Sequence, residues 1–307
     1  MNAVAVNNIG KTYGSKKEIV KALDNISFTV EKGELFGIIG PDGAGKTSLF
    51  RILTTLLLAD TGTASIDEFD VVKEYKQIRN RVGYMPGKFS LYQDMTVEEN
   101  LEFFASIFNT SIEANYDLVK DIYVQIEPFK ERRAGKLSGG MKQKLALCCA
   151  LIHKPSVLFL DEPTTGVDAV SRKEFWEMLK DLKKQGITIL VSTPYMDEAA
   201  MCDRVALMQA GKIMSIDTPG NIIGQFNKHL WAVRSEEMYR LLKDLKNYPN
   251  TESCNSFGEY HHLVLKNDEM AEDGVLKYLQ EHGHEHIDIK PAQPNIEDCF
   301  MQLMNNN

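Results

Sequence analysis

The stretch Gly40-Pro41-Asp42-Gly43-Ala44-Gly45-Lys46-Thr47, followed by Ser48, has the residue types and spacing of a phosphate-holding loop. It fits G-x-x-x-x-G-K-[ST], and it stands between an apolar strand, ELFGII, and the opening of a helix, the context that gives the motif its meaning. Glycines let backbone N–H groups close around phosphate oxygens, and the helix start adds a favourable partial charge. Lys46 is placed to reach the β- and γ-phosphates of a nucleotide, and the Thr47 hydroxyl to ligate Mg²⁺. A second stretch, VLFLDEP at 157–163, is an apolar strand ending in Asp161 and Glu162. Paired carboxylates at a buried strand end are costly unless they meet a cation or a water. Asp161 suits the Mg²⁺ shell, and Glu162 suits a general base that orients and deprotonates an attacking water. A third stretch, LSGGM at 137–141, sets Ser138, Gly139 and Gly140 at a helix start, a second anion site. One nucleotide does not need two such starts in one domain, so the second is intelligible if it completes the site of another subunit. The bland alternatives are a glycine-rich turn, surface acids at a strand end and a plain N-cap; each weakens beside the other two motifs.

The elements that must position these residues follow from pattern. AVAVNNI, NISFTV and ELFGII read as short strands, and SLFRILTTLL as the helix after the phosphate loop. Residues 96–155 read as an all-helical block: Thr96 and Glu99 form a capping box, Ser111 opens IEANYDLVKDIYVQI, and Ser138 caps GGMKQKLALCCALIH. The strands SVLFLDEP, ITILVST, RVALMQ and KIMSID follow, and FWEMLKDLKK at 175–184 is an amphipathic helix with a core-facing side. From about 220 the pattern becomes strand, helix, strand, strand, helix, strand, which predicts a small ferredoxin-like α+β domain. The expected division is therefore 1–220 and 221–307.

Composition narrows the function classes. With 307 residues, 43% hydrophobic and 25% charged, the chain has the make-up of a globular protein of two domains. The net charge is −8, and residues 221–307 supply most of it with 8 basic against 14 acidic residues. That argues against a nucleic-acid platform or an anionic-lipid anchor. The N-terminus lacks the basic start and apolar core of a signal peptide, and no apolar run approaches the ~18–20 residues that cross a bilayer. Five cysteines in no C-x-x-C spacing read as buried, reduced thiols of a cytosolic protein.

The three motifs in this order resemble the ATP-binding subunit of ABC transporters, over roughly residues 3–225. LSGG followed about twenty residues later by LFLDEP and then TTGVD carries the resemblance. STPYMDEAAMCDRVALMQAGKI, TPGNII and PNIEDCFMQL resemble the drug and polysaccharide exporter branch. The resemblance implies an α/β P-loop fold of ABC type with a helical subdomain at about 96–155, plus the small C-terminal domain. It implies ATP and Mg²⁺, hydrolysis coupled to export through a separate membrane-spanning permease, and a cytoplasmic location on the inner face of the membrane through that partner. It also implies a second ATP-binding subunit packed head to tail, and no nucleic acid. Tyr13 matches the aromatic that stacks on adenine, and Asp168 the loop that communicates between two nucleotide sites. Tyr92 and Phe89, in KFSLYQDMTVEENLEFF, fall where the permease docks; burial of Phe89 under the helical subdomain is the alternative.

Two positions depart from the family. At Gly87 the family has a glutamine that contacts Mg²⁺ and the attacking water, and Gln93 lies six residues further on. At Pro194 it has a histidine that contacts the γ-phosphate; proline offers neither a side-chain donor nor an N–H. Hydrolysis is therefore expected to be slowed while nucleotide binding is kept, unless Thr193 or Tyr195 substitutes. A non-transport ABC ATPase and an ATP-gated regulatory dimer with little hydrolysis are the competing readings. In HGHEHIDIK, His284 and His286 would share a strand face and could bind a metal; a polar turn is the simpler reading.

Overall fold

The computed structural model describes residues 1–15, 18–267 and 271–305. The chain divides into Met1–Pro219 and Gly220–Asn307. The first unit begins with two long antiparallel strands, β1 (Asn2–Ser15) and β2 (Glu18–Glu31), and continues through β3 (Leu35–Ile39), α1 (Lys46–Leu53), β4 (Thr61–Ile66), β5 (Phe69–Asp70), α2 (Tyr75–Arg79) and β6 (Val82–Met85). The helical block holds α3 (Val97–Ile107), α4 (Tyr116–Tyr123) and α5 (Gly139–Leu151). Then come β7 (Val157–Asp161), α6 (Ala169–Lys184), β8 (Thr188–Thr193), β9 (Arg204–Gln209) and β10 (Lys212–Asp217), with α7 (Pro219–Gly224) at the division.

The site is positioned by the sheet β10-β9-β3-β8-β7-β6. Its strands are parallel except β10, which pairs antiparallel with β9. Every residue of β3, β7 and β8 is buried, as expected of near-continuous apolar runs covered on both faces. Pairing of Ile39 with Thr193, Asp161 with Ser192, and Met85 with Leu160 brings the C-terminal ends of β3, β8, β7 and β6 together, where parallel sheets place ligands. A second sheet, β2-β1-β4-β5, shares the core with these strands through Ile9, Phe28, Phe36 and Phe50.

Two expectations change in detail. The helix after the phosphate loop stops at Leu53; Thr55 takes a positive φ of 63°, and Leu56 and Leu58 emerge 59% and 65% exposed instead of continuing a buried face. The block at 96–155 alternates helices with 3₁₀ turns, and Ser111 accepts the N–H of Ala114 at the head of such a turn, so the helix there shortens to α4. The capping box forms in full: Thr96 Oγ1 accepts the Glu99 N–H at 3.1 Å, and Glu99 Oε2 accepts the Thr96 N–H at 2.7 Å. Thr96→Ala should cost about 1 kcal/mol and lower Tm by roughly 2–4 °C in a thermal melt.

The second unit has β11 (Leu230–Arg234), α8 (Met238–Asn247), β12 (Thr251–Phe257), β13 (Tyr260–Leu265), α9 (Ala271–Glu281), β14 (Asp288–Ala292) and α10 (Ile296–Asn305). Its antiparallel sheet runs β12-β13-β11-β14, the ferredoxin-like order. Leu241, Leu245, Val275 and Leu279 of the two crossover helices close one face over Val233, Cys254 and Leu263. His284 and His286 lie before β14, not on it. His284 is buried between Asp244 and Ser235, at 3.0 and 3.3 Å, while His286 is exposed beside Glu236. That separates the two histidines, and among the described residues no group of three or more His, Cys, Asp or Glu is placed to hold a metal.

Candidate functional site

The phosphate loop is shaped by contacts only glycine permits. A Cβ at Gly40 would stand 2.1 Å from the Met208 carbonyl oxygen, and Gly45, at φ 105°, caps α1 in a conformation that L side chains avoid. Pro41, Asp42, Gly43 and Ala44 span the turn between them, with the Ala44 N–H returning to the Pro41 carbonyl at 3.2 Å. Lys46 is 3% exposed; its Nζ donates to the carbonyls of Gly40 and Pro41, at 2.8 and 3.0 Å, and pairs with Glu162 Oε1 at 3.1 Å. Ser48 Oγ lies 3.1 Å from the hydroxyl of Tyr13, which is 40% exposed over the head of α1.

Asp161 closes the other wall. Its Oδ1 accepts from the Ser192 hydroxyl at 2.6 Å and from the Thr47 hydroxyl at 3.2 Å, and it is 2% exposed. The converging carboxylate and hydroxyl oxygens are a donor set that fits a hard divalent cation such as Mg²⁺. Tyr84 lies near enough to feel the Asp161 charge; burial first, and that charge second, push its phenol up to about 12. Glu162 has φ 51°, a region that costs a non-glycine residue of order 1–3 kcal/mol. Its N–H is pinned by the Ser192 carbonyl at 3.0 Å and the Ser192 hydroxyl at 3.1 Å, which hold the side chain toward Lys46.

Ser138 caps α5 by accepting the Met141 N–H at 3.3 Å, and Ser138 and Gly139 are exposed. A Cβ on Gly140 would touch the Ser171 hydroxyl, at 3.0 Å, so this helix start packs on the start of α6. Asp168 caps α6 by accepting the N–H groups of Val170 and Ser171, and the Ser171 N–H, followed by its hydroxyl, holds the carboxyl below its usual range. A cavity of about 200 Å³ brings together Gly87, Phe89, Gly139, Gln143, Glu162 and Gly166.

Gly87 therefore stands beside the two acids: a Cβ there would lie 3.0 Å from the Asp161 carbonyl oxygen and 3.7 Å from Glu162 Cβ. Gln93 is elsewhere, exposed, its carbonyl accepting the Gly135 N–H at 2.9 Å. The neighbours of Pro194 are committed to other partners. Thr193 donates to Glu198 at 2.5 Å, and the Tyr195 ring lies 4.4 Å from the Arg172 guanidinium. Phe89 is half-buried beneath Lys142, whereas Tyr92 is 50% exposed with its ring edge on Phe103. Sequence reasoning missed Ser192, Gln143 and Glu198. Ser192 sits one strand away from Asp161 in register, and only the pairing of β7 with β8 reveals it.

A second groove, of about 450 Å³, opens between β6 and the helical block. It is lined chiefly by apolar side chains, among them Leu56, Leu91, Phe104, Ile107 and Phe108. Ile107 is 54% exposed at its edge. Among the described residues, no helix is long and apolar enough to cross a membrane.

The family described as ABC transporter matches residues 23–165. The probable multidrug ABC transporter ATP-binding protein YbhF of Escherichia coli is 37% identical over 98% of this chain, which spans 52% of that protein's length. The doxorubicin resistance ATP-binding protein DrrA of Mycobacterium tuberculosis is 38% identical, with 98% of this chain and 93% of that protein covered. Among solved structures, the dimeric ATP-binding cassette MJ0796, in a post-hydrolysis state bound to ADP and Pi, superposes with a TM-score of 0.64 at 26% identity, covering 70% of this chain and 98% of that one. With the phosphate loop, the paired acids and the second helix start assembled on a sheet of this topology, the chain belongs to the ATP-binding proteins of ABC transporters.

Proposed function

We propose that this chain binds and hydrolyses ATP to drive export through a separate membrane-spanning permease, at the cytoplasmic face of the membrane. The observation that carries the reading is the convergence of Lys46, Thr47, Asp161 and Glu162 within direct contact at the ends of β3 and β7. In this reading the backbone of residues 40–48 cradles the phosphates, Lys46 offsets charge on the transferring phosphoryl group, and Tyr13 packs on the adenine. Glu162 accepts the proton of the attacking water. Thr47 and Asp161 would hold Mg²⁺, which when bound neutralises phosphate charge. Ser138 and Gly139, exposed at their helix start, together with Gly140, complete the site of a second ATP-binding subunit, and Asp168 links the two sites. Residues 1–220 form the ATP-binding domain and 221–307 an accessory domain. The acidic charge argues against a nucleic-acid platform.

The groove beside β6 is the docking place for the permease, with Tyr92 at its approach. Ile107→Asp should abolish co-purification with the membrane partner and leave nucleotide affinity of the isolated chain within about twofold, because a charge on an apolar contact is costly to desolvate. Undiminished co-purification would remove the groove from the interface. One observation favours a second reading, an ATP-gated dimer with little turnover: the site carries no side-chain donor at Gly87 or Pro194. ATP-dependent dimerisation without phosphate release would select it.

A further inference from the structure

Glu198 belongs to none of the motifs, yet it is the buried carboxylate where three segments of the site meet. It is 2% exposed. Its Oε1 accepts from the Thr164 hydroxyl at 2.8 Å and pairs with Arg172 Nε at 3.2 Å, while Oε2 accepts from the Thr193 hydroxyl at 2.5 Å. Thr164 lies two residues beyond Glu162. Thr193 immediately precedes Pro194; its hydroxyl accepts the Tyr195 N–H at 3.1 Å and its carbonyl accepts the Gly40 N–H at 3.2 Å. Arg172 stands in the first turn of α6, four residues after Asp168, and also reaches Asp197 at 2.9 Å and the Tyr195 ring. A buried charge persists only where partners satisfy it, and here the partners come from the loop after β7, the last residue of β8 and the first turn of α6, all beside the phosphate site.

We infer that Glu198 is a positioning residue for hydrolysis, an inference that rests on the ATPase reading above. Through Thr193 it holds the turn at Pro194, through Thr164 the loop that follows Glu162, and through Arg172 the start of α6. With no side chain at position 194 to reach the γ-phosphate, the placement of that end of the site is set from behind by this one carboxylate. A misplacement of about 1 Å at a reacting group costs on the order of 10²-fold in rate, so a partial loosening should be visible in kcat.

The test is steady-state ATP hydrolysis by the full chain. Glu198→Gln keeps the shape, but an amide cannot accept on both sides; its NH₂ must face either Thr193 or the donors of Thr164 and Arg172. The expected result is a kcat lowered about tenfold with the KM for ATP within about twofold of wild type. Thr164→Val, nearly isosteric, removes one arm and should lower kcat less. The double variant should fall short of the product of the two effects, since both act through one carboxylate. A kcat within twofold of wild type in both single variants, effects that multiply independently, or a change confined to KM would overturn the inference. If Glu198→Gln does not fold, Thr164→Val decides alone, and an unchanged kcat overturns it. The wild-type chain measured alongside separates the two claims: absence of ATP turnover by the wild type removes the ATPase reading itself, whereas wild-type turnover with unchanged kcat in the Glu198 and Thr164 variants removes only the positioning role.

Discussion

Glu162→Gln should lower phosphate release by about 10²-fold or more while leaving ATP affinity within roughly twofold. The size of the effect follows from chemistry, since an amide of the same shape cannot take a proton from water. Its specificity follows from structure. The φ of 51° at Glu162 is held by backbone and hydroxyl contacts to Ser192, which the substitution leaves alone. Lys46 loses an ion pair at 3.1 Å but keeps both loop carbonyls, so the lysine stays seated and the phosphate grip persists. Lys46→Ala is the contrasting control: it removes charge from the grip and should weaken binding as well as turnover. Phosphate release and equilibrium nucleotide binding, measured on the same preparations, check both statements. Turnover of Glu162→Gln at the wild-type rate would take the general base away from this residue.

The contiguous parts of this site were legible in the sequence because local geometry and chemistry coincide there. A glycine-rich turn between a buried strand and a helix has one low-cost conformation, and Gly40 and Gly45 occupy positions where a Cβ would collide or a positive φ is required. The caps at Thr96 and Ser138 are short-range hydrogen bonds, so their residue types announce them. What the sequence could not disclose depends on strand register. Ser192 joins Asp161 only because β8 lies beside β7, and Glu198 meets Thr164 and Arg172 across sequence separations of 34 and 26 residues. The early end of α1 was equally hidden. Thr54 and Thr55 are tolerable helix residues, and the departure is fixed by Arg79, which donates to the Thr55 hydroxyl and carbonyl from 24 residues away. The βαββαβ pattern of the second unit was readable because each element has its own period, whereas its strand order emerged from pairing.

Restoring the missing donors should speed this site. Pro194→His is expected to raise kcat about tenfold with little change in KM, because a donor aimed at transition-state charge acts on the chemical step. Two facts favour a real gain. Thr193 spends its hydroxyl on Glu198, and Tyr195 lies against Arg172, so neither neighbour already supplies the contact. Removing one such donor from other enzymes typically costs ~10²–10³-fold, and the smaller gain expected here reflects a histidine whose orientation nothing yet fixes. Loss of proline should also lower stability by about 0.4–1 kcal/mol through the unfolded chain, so Tm must be read alongside the rate. Gly87→Gln is expected to raise kcat less. Its Cβ would meet the Asp161 carbonyl oxygen at 3.0 Å, and the strand end carrying Asp161 must give by a few tenths of an ångström, disturbing the acid it is meant to assist. Both substitutions act on one reacting centre, so their effects should not multiply. If neither raises kcat, turnover is set outside this phosphate site, by subunit association or product release, and the slow step belongs to the assembly rather than to these two positions.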